Sequence, residues 1–167
     1  RQRQMCIRDS CIIEYDGTET ADTRPTVSRQ ETLSGGHFIV VRRDHSLCSE
    51  SGFCANRRAG IEEMVPHSQD SEVRAQIMAM IDHCPSGSFV YAIDEKGPDI
   101  EPDLPQQIAV TTEITSDGPI SGPLWVTGNI PIERADGRPM EIRNRVTLCC
   151  CGRSENKPFC DGKHREA

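Results

Sequence analysis

One stretch, residues 149–164, CCCGRSENKPFCDGKH, constrains this chain more than any other. It carries four cysteines and a histidine, and Phe159 is its one large apolar residue. Burial cannot hold such a segment in one shape, because it has almost nothing to bury. Three thiolates and an imidazole, from Cys149, Cys151, Cys160 and His164, form a donor set suited to zinc or to an iron–sulfur cluster. Disulfides explain it less well, since a bridge between Cys149 and Cys151 would staple nothing. Metal-ligand bonds, in contrast, supply folding free energy directly.

The rest of the composition agrees. Apolar residues make up 35% of the chain, and Gly 13 with Pro 11 predict many turns, so the core is expected to be thin. Nine cysteines are an odd count for a paired framework. The opening RQRQMCIRDS lacks the apolar run of a secretion signal, which points to metal rather than disulfides and to the cytoplasm. The net charge of -7 argues against nucleic acid, and no apolar run is long enough to predict a membrane span.

Along the chain, residues 1–11 read as a non-native terminus, so Cys6 has no expected role and that of Cys11 is doubtful. Residues 12–36 read as loop or remnant. HFIVV (37–41) is a strand candidate. In SEVRAQIMAMIDHCPSG, Val73, Ile77, Met80, Ile81 and Cys84 fall on one helix face, with Asp70 or Ser71 as cap and Pro85 as terminator. SFVYAID (88–94) alternates, which predicts a strand with Phe89, Tyr91 and Ile93 on one face. Residues 97–107, within an acidic proline-rich run, read as a linker between units at 37–96 and 108–167. Short strands are then expected at 108–115, 122–128, 130–134 and 143–150, divided by turns such as SDGP and ADGRP. The fold class is α+β.

Cys149-x-Cys151-x-x-Ser154-x-x-x-Pro158-x-Cys160-Asp161-Gly162-x-His164 resembles the full signature of the CDGSH iron–sulfur (NEET) family. The resemblance implies a small β-rich unit whose loop binds a [2Fe–2S] cluster, with Cys149 and Cys151 on one iron and Cys160 and His164 on the other. Beside it, each companion residue has a physical role. Pro158 fixes φ before Cys160. Asp161 can cap a following turn, and Gly162 permits close backbone approach. Ser154 can hydrogen-bond a cluster sulfide or the loop backbone. Cys150 is expected to point away. Lys163 departs from the family, which usually has a small residue there. Imidazole in place of thiolate raises the reduction potential. Protonated His164 cannot bind iron, so the cluster is expected to become labile in acid.

A second constellation is weaker. Cys48 and Cys54 bracket Ser51, and Cys84-Pro85 follows at a distance. CSESGFC with CPSG resembles the divergent mono-cluster ferredoxin-like domain, which accompanies the CDGSH motif in some bacterial proteins. This implies a small ferredoxin-like α+β unit with a [3Fe–4S] or [4Fe–4S] cluster on Cys48, Cys54 and Cys84. The alternative is a degenerate unit that keeps three buried thiols. His45, His67 and His83 are expected to be ordinary surface or core histidines. YDGTETADTRP is similar to the run after a first CDGSH motif in tandem members, which implies a chain lacking an N-terminal cluster domain.

No Gly-rich phosphate loop or catalytic motif spacing occurs, so no enzymatic activity is expected. The leading expectation is an iron–sulfur protein acting in electron transfer or cluster transfer with a redox partner or cluster-acceptor protein. The alternatives are a structural zinc module for protein interaction, or an accessory redox subunit of an oxidoreductase. A homodimer, or pairing with the absent CDGSH domain, is the expected assembly.

Overall fold

The computed structural model describes residues 20–134 and 137–166 in full, together with the backbone of two short paired strands, β1 (Gln4–Ile7) and β2 (Ser10–Ile13). The expected non-native terminus, and the part of the expected remnant up to residue 19, lie outside the fully described residues. The remainder is α+β, built on two three-stranded antiparallel sheets.

The first sheet has the order β3 (Glu31–Thr32), β4 (Val40–Arg43), β5 (Phe89–Ala92). Helix α1 (Ile61–Met64) and helix α2 (Ser71–Asp82) contribute to its core. The Asp70 side chain caps α2 by accepting from the Glu72 N–H at 2.8 Å. Ile77 and Ile81 are fully buried, and Val73 and Met80 flank them, as the apolar spacing predicts. β4 starts later than the sequence suggests. Phe38 takes φ +60 and is 74% exposed, so the run HFIVV pairs only from Val40. The expected one-faced pattern of β5 is also corrected. All four of its residues are buried, whereas Ile93 is exposed. On the second face Val90 is buried, and it lines a cleft together with Arg143, Asn144 and Arg145.

The second sheet has the order β6 (Gln107–Thr115), β7 (Gly118–Thr127), β8 (Arg145–Leu148). Ser116 and Asp117 form the two-residue hairpin turn, with Gly118 at φ +114. Residues 130–134 do not form the expected strand. Glu133 makes a single bridge to Pro139, because Pro131 and Pro139 lack the N–H groups a ladder needs. Each core is small. Nine buried residues centre on Val41, Ile77 and Ile81, and seven centre on Leu124, Val146 and Phe159. Cores of this size give little stability by themselves.

Polar bonds join the two sheets. Ile100 N donates to Tyr91 O, Asn144 Nδ2 to Pro102 O, and Thr127 Oγ1 to Pro105 O, so residues 97–107 are tied to both sides. The buried Arg145 reaches from β8 to the end of α2, donating to Asp82 O at 2.7 Å. An N-terminal strap adds to this. Thr20 N and Ala21 N both donate to Lys157 O, and Arg29 forms a buried ion pair with Asp44 at 2.8 Å. No helix among the described residues is long and apolar enough to cross a membrane.

Candidate metal centre

β8 ends at Leu148 and delivers Cys149, Cys150 and Cys151 into a loop. Cys149 N donates to Pro158 O and Cys160 N to Thr147 O, which folds the second half of the loop back on the strand. Cys149 Sγ and Cys151 Sγ then stand 3.8 Å apart. Cys160 Sγ faces His164 Nδ1 at 3.5 Å, both buried. Among the described residues no three Cys, His, Asp or Glu side chains converge on one metal-ion position. The donors stand as two pairs.

Backbone N–H groups point at the sulfurs. Arg153 N lies 3.4 Å from Cys151 Sγ, and Gly162 N lies 3.5 Å from Cys160 Sγ. Burial pushes the Cys160 thiol up to about 12, against the opposing hydrogen bond from Gly162. Burial likewise raises Cys149, against hydrogen bonds from Ser154 and Gly152. Thiolates buried this deeply are unfavourable on their own and become favourable beside a cationic iron core. The donor set and its N–H surroundings therefore fit an iron–sulfur group.

The companion residues shape the loop. Ser154 Oγ donates to Phe159 O at 2.7 Å, so its hydroxyl serves the loop backbone. Asp161 caps the 3₁₀ turn Lys163–Glu166 by accepting from Lys163 N, and its other oxygen accepts from Glu155 N. Pro158 follows a cis peptide bond. Gly162 takes φ +88, and a Cβ there would lie 3.0 Å from Glu50 Oε2. The close approach it permits is thus to the loop of the other unit. Cys150 packs against the second core instead of joining the pairs. Lys163 pairs with Glu155 at 2.5 Å, which raises its pKa and offsets the charge beside His164.

Two functional residues have no signal in the sequence. Glu113 on β6 brings Oε1 to 3.0 Å from His164 Nε2. The distance is that of a pair, although the ring as oriented does not align the N–H, which leaves this buried nitrogen without a hydrogen bond. Arg165 grips the same carboxylate with Nε at 2.7 Å and Nη2 at 2.9 Å. Burial raises the Glu113 carboxyl, but the hydrogen bonds from Arg165 and the nearness of His164 outweigh it and hold it below the usual range. A carboxylate on the outer nitrogen orients an imidazole and leaves Nδ1 as the metal-facing atom.

The other sulfur cluster is built from the 3₁₀ turn His45–Leu47, its following loop, and the end of α2. Asp44 caps that turn by accepting from Ser46 N. Glu50 and Gly52 take positive φ and curl the loop that carries Cys48 and Cys54. Burial raises the Cys54 thiol, and the like charges of Cys48 and Cys84 raise it further. Cys84 is buried with Sγ 3.6 Å from Ser86 Oγ. These three soft donors, buried or partly buried, also fit an iron–sulfur group. Ser51 and Phe53 instead line a cavity of about 790 Å³ shared with Trp125, Glu113 and Arg165. His83 Nδ1 lies 2.6 Å from Ala79 O in the last turn of α2.

Comparison with known proteins follows the same division. Residues 121–165 match the family described as iron-binding zinc finger CDGSH type, and residues 35–94 match the divergent 4Fe-4S mono-cluster family. No curated protein and no solved structure matches the chain. The chain therefore carries a divergent 4Fe-4S mono-cluster segment followed by a CDGSH-type segment, and it is an iron–sulfur cluster-binding protein.

Proposed function

We propose that the chain is a non-enzymatic one-electron carrier or cluster donor of the cytoplasm. In this reading Cys149 and Cys151 hold one iron of a [2Fe–2S] cluster, and Cys160 with His164 Nδ1 holds the other. Cys48, Cys54 and Cys84 hold a [3Fe–4S] or [4Fe–4S] cluster. The observation that carries the reading is the two-by-two arrangement of donors, 3.8 Å and 3.5 Å within the pairs. Two donors per metal suit a rhombic two-iron core, whereas a structural zinc takes all four donors at one point.

When bound, such a cluster stores and releases one electron. The protein's part is to hold and tune it. Backbone N–H groups of Gly152, Arg153, Ser154 and Gly162 stabilise the thiolates. Glu113 and Arg165 sit on the outer side of the histidine. A redox partner or cluster-acceptor protein completes the function.

Anaerobic purification with iron, sulfide and zinc counts and EPR tests this. A red-brown protein with about two irons from the CDGSH site, and about five or six when both sites are filled, is expected. A colourless protein with stoichiometric zinc would overturn it in favour of an interaction module.

A further inference from the structure

The two ligand loops are in direct contact. Arg165, the residue after His164, donates from Nη1 to Ser49 O at 3.1 Å, and Ser49 is the buried residue after Cys48. Gly162, between Cys160 and His164, lies against Glu50 of the Cys48–Cys54 loop. Trp125 of β7 donates its indole N–H to Pro85 O, the residue after Cys84, at 2.9 Å. Asn156 Nδ2 of the CDGSH loop donates to Ser46 O, just before Cys48, at 2.5 Å. Contacts to an isolated β-unit would be expected to spread over its core-facing surface. Here four of them fall within two residues of a candidate ligand on one side or the other.

We propose that Arg165 bridges the two ligand loops into one intramolecular electron relay. The inference rests on the two-cluster reading above. The path from Cys48 runs through its own peptide to Ser49 O, across one hydrogen bond to the guanidinium, and along the chain to His164. Arg165 is held for this task on its other edge, where two nitrogens grip Glu113. Its planar fork can serve a carboxylate and a carbonyl together, which a lysine ammonium cannot match. The direction follows from the donors. Imidazole in place of thiolate raises the potential of the CDGSH site, which suits it to accept the electron. One electron, supplied to the Cys48/Cys54/Cys84 site by a low-potential one-electron reductant, therefore passes to the CDGSH site. The first site is oxidised by one electron and the second reduced by one, with no bond made or broken and no proton moved.

The test uses the full chain with both sites loaded. Iron and sulfide counts come first. Then dithionite is added below one equivalent, samples are freeze-quenched, and EPR follows the growth of the CDGSH signal. Arg165→Met is expected to slow that growth at least tenfold with iron content unchanged, and Arg165→Lys to restore it in part. In the fully reduced wild type, the CDGSH EPR signal is expected to be broadened and relaxed by the paramagnetic second cluster, a readout that needs no variant. A count of about two irons per chain would overturn the two-cluster reading and the relay with it. Filled sites whose CDGSH signal is unchanged by the second cluster, or an Arg165→Met rate equal to wild type, would overturn the relay alone.

Discussion

The docking of the two loops makes a strong demand on Gly162, and its replacement by alanine measures that demand. Two costs add. An L-residue in the left-handed region, here φ +88, loses about 1–2 kcal/mol. The new methyl would also lie 3.0 Å from Glu50 Oε2, 3.1 Å from Glu50 Cβ and 3.2 Å from Arg165 Nη1. Overpacking costs about 1–3 kcal/mol, and two of these three atoms end flexible side chains, so about 1 kcal/mol applies. The total of about 2–3 kcal/mol should lower the melting midpoint by about 4–12 °C for a chain of this size. Far-UV circular dichroism and cluster absorbance, recorded on the holo protein at one scan rate, report it. Glu50→Gly supplies the control. It removes the side chain that the methyl meets, and it relaxes a residue itself at φ +54. In that background Gly162→Ala should cost only the conformational share, about 1–2 kcal/mol. A midpoint shift below about 2 °C, or an equal cost in both backgrounds, would refute the argument that the neighbouring loop dictates this glycine.

Three further outcomes are expected. His164→Cys should suppress acid loss of the CDGSH cluster, read as visible absorbance against pH, because thiolate replaces the ligand whose protonation releases iron; unchanged decay would exclude that route. Arg145→Ala should cost about 3 kcal/mol, since it leaves a cavity and strips partners from Asp82 O and Glu101, whereas Arg145→Met fills the volume and should cost at least about 1 kcal/mol less in chemical denaturation. Glu141 is pushed up by burial but more strongly down by hydrogen bonds from Thr26 and by Arg143, so its folded pKa is lowered. Its contribution is therefore present above the ordinary glutamate range, about 4.3, and lost as pH falls through the folded value. Melting differences between wild type and Glu141→Gln should accordingly be largest near neutrality and vanish in acid.

The elements legible in the sequence are those with a local pattern. The apolar spacing of Val73, Ile77 and Ile81 marks α2, and the turn Ser116-Asp117 before Gly118 marks the β6–β7 hairpin. The sulfur donors are legible because metal-binding chemistry fixes residue type and spacing. Glu113 and Arg165 are not. Their contacts join positions 52 and 116 residues apart, and Arg165 reaches a backbone carbonyl, which any residue at position 49 would offer. The burial of both faces of β5 is hidden for the same reason, since it depends on residues distant in sequence. The proline-interrupted run at 130–134 misleads in the opposite way. Its apolar alternation is that of a strand, but its prolines cannot donate to a ladder.

The strap at Thr20 and Ala21 has a consequence for biogenesis. Both donate to Lys157 O, and Thr20 Oγ1 donates to Glu155 O across 135 positions, so these partners are made long after the strap itself. The first sheet and α2 can form while synthesis continues, because β4 and β5 are complete by residue 92. The strap cannot dock on the CDGSH loop until residue 157 has been made. Docking of the strap on that loop is therefore separated in synthesis from folding of the segment that precedes it.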